Sequence, residues 1–91
     1  MVSDKIKISN PSGFHLRPAG MFCETAVSFD SSIRFKKGER DYNAKSVLSV
    51  LGAGVKSGDE IEIICEGSDE AEAIESLLEL VRSGFGEWKS A

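Results

Sequence analysis

Near its start the chain alternates polar and apolar residues. In "DKIKIS", Ile6 and Ile8 are set among Asp4, Lys5, Lys7 and Ser9, a period-two pattern that predicts a strand with one wet face, ended by "NPSG". From Pro18 the period lengthens. Ala19, Phe22, Cys23 and Ala26, with Phe29 beyond them, fall at the i, i+3, i+4, i+7 spacing of a helix packed on a sheet, which predicts a first helix from about His15 to about Val27. "SIRFK" alternates again through Ile33 and Phe35, "KGE" supplies a turn with glycine, and "RDYN" returns as a short partner strand, so this stretch reads as a hairpin.

"KSVLSVLGAG" brings Val47, Leu48, Val50 and Leu51 within two turns, with Ser46 at the entrance and Gly52 and Gly54 at the exit, and predicts a short second helix. Ile61, Ile63 and Cys65 then alternate with Glu60, Glu62 and Glu66 in a strand that resembles the first. "GSDEAEAIESLLELVRSGFG" predicts a third helix, with Ser68 as N-cap, acids in the first turn, an apolar face of Ile74, Leu77, Leu78 and Val81, and Arg82 and Gly84 at the end. Beyond it, Phe85 and Trp88 are apolar residues able to pack back on the domain. The order strand, helix, strand, strand, helix, strand, helix points to a two-layer α/β arrangement, with helices stacked on one face of an antiparallel sheet.

Length narrows this to one domain over residues 1–91, since half of 91 residues is too few to bury a core of its own. The formal net charge is −4 and the 11 Lys and Arg are scattered, which argues against a nucleic-acid partner. "MVSDKIKIS" lacks the apolar stretch of a secretory signal and no run is long enough to span a bilayer, so the expectation is a cytosolic chain without membrane insertion. Cys23 and Cys65 match no Cys-x-x-Cys pattern and are read as buried free thiols; with one histidine, no metal site can be assembled.

That histidine is placed where its chemistry counts. Pro18 suits the first turn of a helix, which sets His15, in "SGFHLRPAG", at or just before the N-terminus. The backbone amides of Leu16 and Arg17 then point outward beside the positive end of the helix dipole, and the Arg17 guanidinium adds charge-assisted hydrogen bonds, a combination suited to a phosphate. An unprotonated ring nitrogen is a nucleophile toward phosphorus, and phosphoryl transfer asks mainly for alignment and charge stabilisation. Gly13 lets the chain bend ahead of the ring and leaves it open. No triad partner and no Gly-rich nucleotide loop accompany it, so a carrier serving larger enzymes fits better than a kinase or hydrolase.

"SGFHLRPA", "NAKSVLSVLGAGVKSGD" and "EGSDEAEAI" together resemble the HPr family, the histidine phosphocarriers of the bacterial sugar phosphotransferase system, over essentially the whole chain. The resemblance implies an open-faced β-sandwich: a four-stranded antiparallel sheet in the order 1-4-2-3 covered on one face by three helices. It implies that His15 receives a phosphoryl group on Nδ1 from phospho-enzyme I, charged by phosphoenolpyruvate, and passes it to enzyme IIA domains, with Arg17 as the arginine beside it. It implies no cofactor. Ser46 matches a serine modified by an ATP-dependent HPr kinase/phosphorylase, giving a form that joins catabolite control protein A; as a plain helix cap it needs no such role. The family docks partners through an apolar patch, for which Leu16, Gly20, Leu48 and Leu51 are the candidates, while Val47 and Val50 are assigned to the core.

The chain departs from the family at several of these places. Leu16 stands where alanine or threonine is common, Phe14 where leucine or isoleucine is usual, and Ser49 and Ala53 alter the second-helix segment. Glu24 lies where many members carry Lys or Gln, on the partner-binding side, and a negative charge there does not favour docking to an acidic enzyme I surface. Two other readings follow: a mainly regulatory paralogue working through Ser46, and a small-molecule-sensing α/β domain in which His15 only caps a helix. Monomer is the default expectation.

Overall fold

A computed structural model describes the backbone of residues 1–90 and the side chains of residues 1–87; Trp88 therefore lies outside the described side chains. Its elements are β1 (Val2–Lys7), α1 (Leu16–Val27), β2 (Ser32–Lys37), β3 (Arg40–Asn43), α2 (Val47–Gly52), β4 (Glu60–Glu66) and α3 (Glu70–Arg82), followed by 3-10 turns over Gly84–Ser90. The four strands form one antiparallel sheet in the order β1-β4-β2-β3. That is the two-layer arrangement expected from the alternation of periods.

Residues directly opposite one another on paired strands share a face of the sheet. Ile6 opposes Ile61, Val2 and Ile33 both oppose Cys65, and Phe35 opposes both Ile63 and Tyr42, so one apolar face runs across all four strands. On the other face Lys5, Glu62, Lys36 and Asp41 stand in one cross-strand row of alternating sign. The exception there is Ile64, buried between its register neighbours Ser3 and Arg34. The helices cover the apolar face through Ala19, Phe22 and Ala26 of α1, Val50 of α2, and Ala73, Ile74, Leu77, Leu78 and Val81 of α3.

An aromatic cluster sits at the centre of this core. The Phe14 ring lies 4.9 Å from Phe22, 5.7 Å from Phe35 and 5.9 Å from Phe85, the last two edge-on, as the ring quadrupoles prefer. Phe85, whose place the sequence leaves open, is fully buried.

Four expectations need correction. Val47, assigned to the core, is exposed, because a helix of six residues has room for little more than one inward position, and Val50 takes it. Cys65 is a buried free thiol, whereas Cys23, on the flank of α1, is only half-buried. Ile8 falls just past the end of β1, though it is fully buried as the alternation requires. The cap of α3 is Asp69 and not Ser68: Asp69 leaves the helical region (φ −114°, ψ 27°), and its carboxylate bonds the turn before β2 instead of its own helix.

Candidate functional site

His15 is the N-cap of α1 with extended backbone (φ −76°, ψ −175°), and its side chain makes no capping hydrogen bond. The first amides of a helix have no partner inside it. Those of Leu16 and Arg17 are therefore left beside an exposed imidazole, while the His15 carbonyl opens the helix by accepting from the Ala19 N–H at 2.8 Å. Pro18 in the first turn is buried and has no N–H to satisfy.

The ring is held outward by its neighbours on the other side. Phe14 is anchored in the aromatic cluster, and its N–H donates to the Val55 carbonyl at 2.9 Å. Gly13 has φ +64°, and a Cβ there would lie 2.6 Å from the Val55 oxygen and 2.8 Å from the Lys56 Cα. Glycine is thus required twice, for the left-handed backbone and for the close approach. Asn10, fully buried, donates to the Gly13 carbonyl at 2.8 Å and closes the loop from inside.

Arg17 is exposed, one residue beyond Leu16, and shares with Pro11, Ser12, Gly86 and Glu87 an open cleft of about 410 Å³. Asn10, Ser12 and Glu87 are the site residues that sequence reasoning misses. Ser12 belongs to the "NPSG" segment and reads as a turn residue, and nothing local marks Glu87, which lies 75 residues away in the chain.

Leu16, Gly20 and Glu24 recur every fourth residue and form one stripe along α1, with Leu16 67 % exposed, Gly20 half-buried and Glu24 exposed. α1 packs against α2, where Leu48 is 79 % exposed and Leu51 is half-buried against the core. The structure so brings the candidate docking leucines onto two adjoining helices and adds Val47 to the exposed apolar set.

Ser46 is the N-cap of α2, and its hydroxyl accepts from the Ser49 N–H at 3.3 Å. The "NAKS" segment builds this start. The Asn43 side chain accepts from the Lys45 N–H at 2.9 Å, the Asn43 carbonyl accepts from the Ser46 N–H at 3.2 Å, and Lys45 Nζ reaches back to the Phe29 carbonyl at 2.7 Å. Asn43 N–H in turn donates to Ser49 Oγ at 3.0 Å, which gives Ser49 a structural use.

Among the described residues there is no group of three or more His, Cys, Asp and Glu placed to hold a metal, and no helix long and apolar enough to cross a membrane.

Comparison with known proteins bears on this arrangement directly. Residues 2–83 match the family model described as "PTS HPr component phosphorylation site". The chain is 34% identical over 87 residues to the phosphocarrier protein HPr of Neisseria meningitidis serogroup A, covering 96% of this chain and 98% of that one. It is equally 34% identical over 82 residues to the HPr-like protein Crh of Bacillus subtilis, covering 90% and 96%. Among solved structures, HPr-C-His from Thermoanaerobacter tengcongensis superposes with a TM-score of 0.93 at 41% identity, over 96% of this chain and 98% of that one. An HPr dimer from the same organism superposes with a TM-score of 0.77 at 41% identity, over 96% and 100%.

Proposed function

The chain belongs to the HPr family, the phosphocarriers of the phosphotransferase system, and from that premise we propose that His15 is its phosphoryl-bearing residue. Phospho-enzyme I is the donor and enzyme IIA domains are the acceptors. What carries this reading is a single observation: an exposed imidazole at the N-terminus of α1, its side chain making no capping hydrogen bond, with the exposed Arg17 two residues beyond it.

The chemistry follows from that geometry. A His15 ring nitrogen, Nδ1 by the family pattern, forms a bond to phosphorus as the bond from phosphorus to its donor breaks. The phosphoryl oxygens meet the amides of Leu16 and Arg17 and the Arg17 guanidinium, which offset their charge without any rearrangement of backbone. Transfer to the acceptor is the same exchange in reverse. The chain supplies the seat and its partners complete the reaction, so it acts as a carrier without cofactor and not as a self-contained enzyme. All the groups that handle the phosphoryl group come from one copy, which makes a single chain the working unit.

Leu16, Gly20, Leu48 and Leu51 form the docking patch for enzyme I and enzyme IIA, with Glu24 a charge at its margin that biases the choice among them. Ser46 is the regulatory site, open to an HPr kinase/phosphorylase, with catabolite control protein A as reader of the modified form. The likeness to Crh of Bacillus subtilis, called in one solved structure the catabolite repression HPr, favours this second use. Incubation with a cognate enzyme I and phosphoenolpyruvate tests the carrier role. One acid-labile phosphoryl group per chain, lost in His15→Ala, is the expected result; an unlabelled wild-type chain overturns it. ATP and the kinase would label Ser46 separately, and a Ser46→Ala chain labelled to the same extent would exclude that site.

A further inference from the structure

His15 stands at the end of a loop whose two ends are bonded to one other stretch of chain. At the start, the Ile8 N–H donates to the Asp59 carbonyl at 2.7 Å, and the Ile8 carbonyl accepts from the Gly58 N–H at 2.6 Å. At the end, the Phe14 N–H donates to the Val55 carbonyl at 2.9 Å, and Gly13 lies so close to Val55 and Lys56 that no side chain fits between them. Residues 53–59, between α2 and β4, are thus the floor on which the loop rests.

That floor belongs to no helix or strand, and two charged residues hold it in shape. The Asp59 carboxylate accepts from the Lys56 N–H at 2.8 Å while the Asp59 N–H donates to the Lys56 carbonyl at 3.0 Å, which closes the turn from both sides. From the end of β2, Lys37 Nζ donates to the carbonyls of Ala53 at 3.3 Å and Gly54 at 3.0 Å, and it pairs with the Asp59 carboxylate at 3.4 Å. One ammonium grips both ends of the segment. The Lys56 amide above all, with the Lys37 charge assisting, holds the Asp59 carboxyl below its ordinary pKa, so the carboxylate is charged at neutral pH.

We infer that Lys37 and Asp59 are positioning residues for the phosphoryl chemistry of His15, acting through residues 53–59, which they fix beneath the loop that carries the ring. The part this plays in phosphoryl transfer rests on the carrier reading given above; the mechanical link from Asp59 to Phe14 does not.

Transfer between two proteins needs nitrogen, phosphorus and the exchanging atom in line, and a misplacement of about 1 Å can cost on the order of a hundred-fold in rate. The bonds between Asn10 and Gly13 set the shape of the loop but not its height over the domain. Its height is set by the buried Phe14 ring and by the Val55 carbonyl, which fixes the Gly13–Phe14 peptide just ahead of His15. The Lys37 and Asp59 side chains are each 34% exposed, and an ion pair so open to water contributes little to global stability. Its use is local.

The test is made on the whole chain carrying Asp59→Ala, Lys37→Met or Lys37→Arg. Amide hydrogen exchange needs no partner: the Phe14 N–H should exchange several-fold faster in Asp59→Ala and Lys37→Met than in the wild type, with the amides of β4 unchanged. With enzyme I and phosphoenolpyruvate, at equal folded fraction, both variants should lower kcat roughly ten-fold and leave KM within about two-fold. Lys37→Arg, which keeps the charge and the donors, should recover most of the rate. A Phe14 amide as protected as in the wild type, or faster exchange there with kcat unchanged, would overturn the proposal. Exchange that quickens equally throughout β4 would mark the pair as merely structural and overturn it as well. A wild-type chain that enzyme I leaves unlabelled would sink the carrier reading, while Phe14 exchange would still decide the link from Asp59 to the loop.

Discussion

Asp69, at the start of α3, accepts hydrogen bonds from the backbone N–H groups of Asp30 and Ser31, each at 2.9 Å, and from the Ser31 hydroxyl as well. One carboxylate thereby ties a helix to the turn that leads into β2, 38 residues earlier. The Ser31 hydroxyl and the Asp30 amide hold its pKa below the ordinary value, because they stabilise the charged form. Asp59, Glu70 and Glu87 are lowered too, chiefly by the Lys56 amide, the Gly67 amide and the Ser12 hydroxyl respectively.

Acid should therefore destabilise the fold. A lowered folded-state pKa means that the unfolded chain takes up protons first as pH falls, so the stabilisation is complete above the ordinary carboxylate values near 3.8 and 4.5 and is lost below them. Urea midpoints from pH 7 to pH 2.5 are expected to hold and then drop in that range. Asp69→Asn should lower the midpoint at pH 7 and flatten the acid limb; an acid limb unchanged by the substitution would show that Asp69 contributes nothing to it.

Gly13→Ala should destabilise the protein by at least about 2 kcal/mol, since the side chain must adopt a left-handed backbone and also push against the Val55 carbonyl. The displaced loop carries His15 with it, so phosphorylation by enzyme I should slow beyond what the loss of folded protein explains. Chemical denaturation and initial labelling rates, compared at equal folded fraction, separate the two effects.

Ser46→Ala removes the acceptor for the Ser49 N–H and should cost about 1 kcal/mol, as loss of an N-cap commonly does. His15 labelling by enzyme I should continue, because the substitution adds no charge to the docking side. A Ser46→Ala chain as stable as the wild type would show that the cap is not used.

Leu48 lies 79 % exposed, so Leu48→Ala should leave stability within about 0.5 kcal/mol. Its effect should instead appear in the apparent KM for enzyme I, raised several-fold, with the maximal rate less affected. An unchanged KM would remove Leu48 from the docking patch.

Burial, aided by the charges of Glu70 and Asp69, pushes the Cys65 thiol up to about 11. A thiol so poised and so covered should resist a thiolate-selective reagent in the native protein at pH 8, with at most one equivalent, Cys23, reacting. Two equivalents should react in urea; two in the native state would contradict the burial of Cys65.

The elements were legible in the sequence because each rests on short-range spacing. Ile61, Ile63 and Cys65 read as a strand, and Ile74, Leu77, Leu78 and Val81 as a helix face, from neighbours a few residues away, and both readings hold in the structure. His15 was legible for the same reason: Pro18, three residues on, marks a helix start. Where a local signal has two solutions, spacing does not choose. Ser68 and Asp69 are both good caps, and Val47 and Val50 both fit an apolar helix face; contacts with other elements selected between them.

By itself, then, the sequence determined the two-layer class, the order of elements and the position of an imidazole at a helix N-terminus, since periodicity and capping are properties of adjacent residues. The tertiary structure decided which leucines face solvent, where Phe85 packs and which carboxylate bonds the Ser12 loop. Glu87 reaches Ser12 across 75 residues of chain only because Phe85 is buried against Phe14. Such a contact depends on how the helices and sheet close over one another, and no spacing along the chain encodes it.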